Sequence, residues 1–149
     1  MSANLFVDTN VLVYSRDSSE PDKQRRAHLW VRELWRTGRG RLSLQVLQEY
    51  YVTVTSKLSP GLDATTARRE VLAFSAWRPV AADVTLMESA WSLQDRFSLS
   101  WWDALIVAAA KRSGSRFLLT EDLRHEQTFD RLRVVNPFHC EPGDILSDP

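Results

Sequence analysis

The sequence predicts an α/β fold with a mostly parallel central sheet of about five strands and helices on both faces. Three observations predict it. Short strand-like apolar runs alternate along the chain with longer stretches of helical periodicity. The helical stretches are long enough to act as the crossovers that parallel neighbours require. The composition, 44% hydrophobic and 26% charged over 149 residues, is that of a soluble globular domain. A single domain spanning residues 1–149 is expected, because a chain of this length can bury one sizeable core.

The elements follow in order. Leu5 to Val7 reads as the first strand. The stretch "PDKQRRAHLWVRELWRTG" reads as a helix with Ala27, Trp30, Val31 and Leu34 on one face, Pro21 in its first turn and Gly38 at its stop. "RLSL" is a second strand, followed by the helix "QVLQEYYVTVTSKL", which Pro60 and Gly61 break off. Asp63 caps a helix running to about Phe74. "WRPVAAD" is read as a third strand, and "TLMESAWSLQDRF" as a helix through Leu86, Ala90, Leu93 and Phe97. "SWWDALIVAAAKRSG" is Ala-rich, opened by Ser100 and closed by Gly114. "RFLLT" and "LRVVNP" supply two more strands.

Several function classes drop out early. The one cysteine, Cys140, cannot form an internal disulfide, and with His139 beside it is too little for a zinc site. No basic leader opens the sequence, and the longest apolar run, Ala104 to Ala110, is far short of the ~20 residues of a membrane span. The cytoplasm is the expected compartment, with no membrane contact. Nineteen basic and nineteen acidic residues cancel, so contact with nucleic acid has to be local. Its best basic patches are Lys23 to Arg26 and Arg36 to Arg41, whose plain reading is a solvated helix face and a flexible turn.

The chemistry is suggested by acids at strand ends. In a parallel sheet flanked by helices the ligand crevice lies beyond the carboxyl ends of the strands. Asp8 ends the first strand there, and Asp122 follows "RFLLT" in the same way. Asp103 lies in the first turn of the helix after Ser100, and Glu49 near the N-terminal half of the helix after the second strand. Four carboxylates in one crevice would repel one another without a counter-ion, which points to a divalent cation. Oxygen ligands without His or Cys favour Mg²⁺ or Mn²⁺, and such ions promote phosphoryl transfer. Nucleic-acid hydrolysis fits. Each acid also has a plainer reading: Asp8 as a helix cap, Asp103 as part of an S-x-x-D capping box, Glu49 as a surface residue, Asp122 as part of a polar turn.

At these residues the sequence resembles a family. "LFVDTNVLVYS", "LSLQVLQEYYVTVTSK", "LSWWDALIVAAAKRSG", "FLLTEDL" and the closing "VVNPF" look like the motifs of PIN-domain ribonucleases, in particular the VapC-type toxins of toxin-antitoxin pairs. The resemblance runs from about Leu5 to Phe138 and implies a PIN-like α/β/α sandwich. It implies endonucleolytic RNA cleavage with Mg²⁺ or Mn²⁺, and an acidic quartet on Asp8, Glu49, Asp103 and Asp122. Thr9, Asn10 and Thr120 match its accessory polar positions. Because Glu121 is also acidic, the assignment of Asp122 rests on the T-x-D spacing. The implied partners are an RNA substrate, a small antitoxin and a second copy of the chain.

Other residues carry less. Trp30 and Trp35 read as core packing or a partner groove. Trp101 and Trp102 point about 100° apart on their helix, so one can border the crevice and stack an unpaired base. His28, His125 and His139 are scattered. Gly38 and Gly40 lack the frame of a phosphate-binding loop. Two rival functions are a haloacid-dehalogenase-type phosphotransferase, which would place a second Asp where Asn10 stands, and a non-catalytic PIN-like module that binds RNA or a protein.

Overall fold

The computed structural model describes residues 3–147. Its elements are β1 (Leu5–Val7), α1 (Thr9–Tyr14), α2 (Pro21–Thr37), β2 (Gly40–Arg41), α3 (Leu44–Ser56), α4 (Ala64–Phe74), α5 (Val84–Phe97), α6 (Trp101–Arg112), β3 (Phe117–Leu119), β4 (Thr128–Phe129), β5 (Leu132–Val135) and α7 (Pro142–Leu146). The strands form one sheet in the order β2-β1-β3-β5-β4. All neighbours are parallel except β4 and β5. The expected fold class is therefore present: a five-stranded, mostly parallel sheet flanked by helices.

Burial explains why β1 reads as an unbroken apolar run. Successive side chains of a strand point to opposite faces, yet Leu5, Phe6 and Val7 are all fully buried, so helices cover both sides. Leu118 and Leu119 of β3 and Val134 of β5 are buried in the same way.

Helix ends obey local chemistry. Ser43, Asp63, Asp83 and Ser100 accept a backbone N–H from the first turns of α3, α4, α5 and α6. Gly38 closes α2 with a φ of 70°. At Gly40 the requirement is space. A Cβ there would stand 2.7 Å from Cε3 of Trp77, so only glycine lets β2 pass this ring.

One expected strand is absent. "WRPVAAD" begins on Trp77, the last residue of a 3₁₀ turn over Ser75–Trp77, and Arg78 takes a left-handed φ of 54°. Pro79 then has no N–H to give. What survives is a single parallel bridge between Val80 and Ser43, extending the sheet beside β2 by one residue. The fifth strand is instead β4, an antiparallel pair of residues turned back by Asp130, whose φ is 58°.

The aromatic side chains divide between core and surface. Trp30 is fully buried and its Nε1 donates to Pro137 O at 3.1 Å. Trp35 is partly exposed and packs on Phe74 and Trp77. Among the described residues no helix is long and apolar enough to cross a membrane.

Candidate active site

Register brings the first two acids together. Val7 of β1 lies opposite Leu119 of β3, so Asp8 and Thr120 leave the sheet side by side. The Asp8 N–H still donates to Leu119 O at 3.0 Å, after which the chain enters α1. Asp8 Oδ1 accepts the Thr9 N–H at 2.7 Å. Its Oδ2 accepts from Thr120 Oγ1 at 2.9 Å and from Asn10 Nδ2 at 3.3 Å. Asp8 is thus both the cap of α1 and a carboxylate at the strand ends, and the two readings of it are compatible.

Asn10 ties the crevice together. Its Nδ2 lies 3.0 Å from Asp122 Oδ2 and 3.1 Å from Thr120 Oγ1, as well as near Asp8. Thr120 is fully buried and its Oγ1 accepts the Asp122 N–H at 3.1 Å, which fixes the turn carrying that acid. Glu49 reaches in from α3. Its Oε2 accepts from Thr9 Oγ1 at 2.7 Å and its Oε1 from Gln45 Nε2 at 2.9 Å. Asp103 stands in the first turn of α6, where its N–H donates to Ser100 Oγ at 3.2 Å. Among the described residues its carboxylate has no hydrogen-bond partner, so the capping box is only half made.

Electrostatics link these acids. Burial pushes the Asp8 carboxyl up to about 7 from 3.8, against the lowering effect of the Thr120 and Thr9 hydrogen bonds, and the charges of Asp122 and Glu49 push the same way as burial. Asp122 is also raised, first by burial, then by Glu121 and Asp103, while the Asn10 hydrogen bond opposes.

Glu121, the neighbour that competed for the site, is occupied elsewhere. Its carboxylate accepts from Tyr14 OH at 2.6 Å and from Lys23 Nζ at 2.9 Å. Lys23 in turn sits 4.7 Å from the Tyr14 ring centroid. The basic patches are similarly engaged. Arg25 pairs with Asp22, and Arg26 donates to Cys140 O. Arg36 pairs with Glu33, while Arg39 is buried and donates to Ala3 O and Leu146 O. His125 lies edge-on to His139, and its Nδ1 accepts the Asn136 N–H at 3.0 Å.

The PIN domain family matches residues 5–132. The chain belongs to that family. The fold of this PIN domain is similar to that of a toxin-antitoxin complex from Klebsiella pneumoniae, with a TM-score of 0.61 and 20% identity, covering 91% of this chain and 98% of that one. It is also similar to the sarcin-ricin loop cleaving toxin VapC20 of Mycobacterium tuberculosis, with a TM-score of 0.57 and 20% identity, covering 77% of this chain and 87% of that one. No curated protein matches the sequence.

Two participants escaped sequence reasoning. Gln45 holds Glu49, and only its i−4 spacing on the same helix could have signalled that. The Tyr14–Lys23 pair that removes Glu121 joins α1 to α2 and left no local signal. For a cation, the donor chemistry of this PIN domain fits: all the acids offer hard oxygens, and the most buried one, Asp8, is raised to about 7 by burial and by the charges of Asp122 and Glu49, both of which a cation would offset. Their side chains do not enclose an ion, for among the described residues no three His, Cys, Asp or Glu gather closely enough. Asn10 and Thr120 occupy oxygens that would otherwise face one another.

Proposed function

We propose that this PIN domain, a single unit over residues 1–149, is a Mg²⁺- or Mn²⁺-dependent endoribonuclease acting as the toxin of a type II toxin-antitoxin pair. Asp8, Glu49, Asp103 and Asp122 are its metal-holding and catalytic residues, with Thr9, Asn10 and Thr120 as supports. The observation that carries the reading is Asp8: a buried carboxylate raised to about 7 at the mouth of a parallel sheet, with two further acids near enough to raise it. Strain of that kind is relieved by a bound cation. The nature of the two structural neighbours, one a toxin-antitoxin complex and one a sarcin-ricin loop cleaving toxin, supports the same reading.

These oxygens would hold a divalent ion, which would supply an activated water and positive charge for phosphodiester hydrolysis. The chain's own part is positioning. Thr120 and Asn10 fix the Asp8 and Asp122 carboxylates, and Thr9 and Gln45 fix Glu49. Asp103, free of partners among the described residues, is the acid most available to a ligand. The protein works in the cytoplasm as a homodimer restrained by a cognate antitoxin. The test is the purified chain, freed of any partner, incubated with single-stranded RNA. Cleavage is expected with Mg²⁺ or Mn²⁺ and none in chelator, with Asp103→Asn inactive. Activity undiminished by chelator would overturn the metal assignment.

A further inference from the structure

Beside the acidic crevice lies a cavity of about 280 Å³ between the start of α3 and the α5–α6 pair. Trp101, Trp102, Leu86 and Met87 line it, and Gln45 and Gln48 bring carboxamides to its wall. Two of these residues connect it to the acids. Gln45 donates to Glu49 Oε1, so one side chain serves both compartments, and Trp102 directly precedes Asp103 on α6. Trp101 is held by stacking on Trp91, with ring centroids 6.3 Å apart and planes at 29°. Trp102 is 65% exposed. Both tryptophans thus border the cavity, one fixed and one open to solvent.

We propose that the cavity receives an unpaired nucleobase of an RNA strand lying across the acidic crevice, stacked on Trp102 and read at its edge by Gln45 and Gln48; the proposal rests on the RNA-cleaving reading of that crevice. Charge is the first argument. The chain has no net charge, its crevice is acidic, and Lys23 to Arg26 and Arg36 to Arg41 are largely engaged within the molecule. Phosphate attraction is therefore weak, and stacking on an aromatic ring supplies affinity that does not depend on it. The second argument is the wall. Each carboxamide offers a donor and an acceptor, the complement of a base edge. The competing occupant is an apolar protein surface, to which exposed Leu44, Met87 and Trp91 would be suited. The Gln45 amide already donates to Glu49, but such a partner would cover its carbonyl and the whole Gln48 carboxamide without a polar complement, whereas a base edge supplies one.

The experiment measures binding of a short single-stranded oligoribonucleotide to the full chain in chelator, where cleavage is absent, by tryptophan fluorescence and by competition. Quenching on binding is expected. Trp102→Leu should weaken binding on the order of tenfold with an unchanged salt slope, and Trp102→Phe should retain most of the affinity. An abasic nucleotide scanned along the oligomer should cost the wild type a similar factor at one position, and cost Trp102→Leu nothing there. If the abasic scan is the same for both proteins, Trp102 meets no base and the proposal falls. If Trp102→Leu binds RNA normally but lowers the sedimenting mass, the face belongs to a second copy, and the proposal falls again. If the wild type shows the abasic signature yet cuts no RNA in Mg²⁺, the base site stands and the nuclease reading fails separately.

Discussion

Replacing Asp8 by Asn should inactivate this protein and stabilise its metal-free form. The side chain is nearly isosteric, so the perturbation is chiefly electrostatic. A carboxyl raised from 3.8 to about 7 by folding withholds about 4 kcal/mol of stability at neutral pH, where the native state must either keep a proton or bury a charge. Asparagine removes that cost. Its carbonyl can still accept the Thr9 N–H and cap α1 about as well as Asp. Its amide, however, would face the Asn10 amide, two donors in opposition, at a cost of about 1 to 3 kcal/mol. The net expectation is a gain of about 1 to 3 kcal/mol at pH 7, a change of several degrees in Tm. The sign with pH follows from the raised value. The stabilising contribution of protonated Asp8 is complete below about pH 3.8 and fades as pH rises through 7, so the variant's advantage should grow from pH 4 to 7. Paired melts in chelator at these pH values measure it, beside melts in millimolar Mg²⁺, which should stabilise the wild type more than the variant. A destabilised Asp8→Asn that still cleaves RNA would show that the carboxylate is only a cap.

The neighbours in "TED" should separate. Asp122→Asn is expected to abolish RNA cleavage, whereas Glu121→Gln should keep it and lose at most about 1 kcal/mol from its partly exposed pair with Lys23, measured by urea denaturation. Gly40→Ala drives a methyl to 2.7 Å from the Trp77 ring and should cost about 1 to 3 kcal/mol, leaving cleavage per folded molecule unchanged. With no net charge, RNA binding should fall only gently with salt, with a logarithmic slope on the order of −2 to −4 in a titration, and a slope near −10 would refute the charge argument.

The sequence revealed elements whose cause is local and missed those whose cause is distant. Ser100 and the Ala-rich run mark α6 because capping and propensity act within one helix. Asp8 and Asp122 were brought together in advance because both follow apolar strands, and parallel register does the rest. "WRPVAAD" misled because its apolar pattern says nothing of the left-handed Arg78. β4 is two residues paired by a turn, too short to show any period. Arg39 read as part of a basic turn, yet it is buried because carbonyls from both ends of the described chain, Ala3 and Leu146, converge on it.

Apart from the one-residue bridge to Val80, the sheet ends at β2 on one side and β4 on the other, and each is two residues long. A bare sheet edge is a template on which another chain can add a strand, and long flat edges are where such proteins aggregate. Here neither border offers more than a pair of residues in regular extension, and β4 is followed at once by Asp130, clasped by Arg96 and Lys111. Strand-by-strand polymerisation has almost no purchase on this molecule. A protein partner should therefore dock through side chains on helix and loop surfaces rather than by adding a strand, and a peptide that binds by extending the sheet should fail to compete with it.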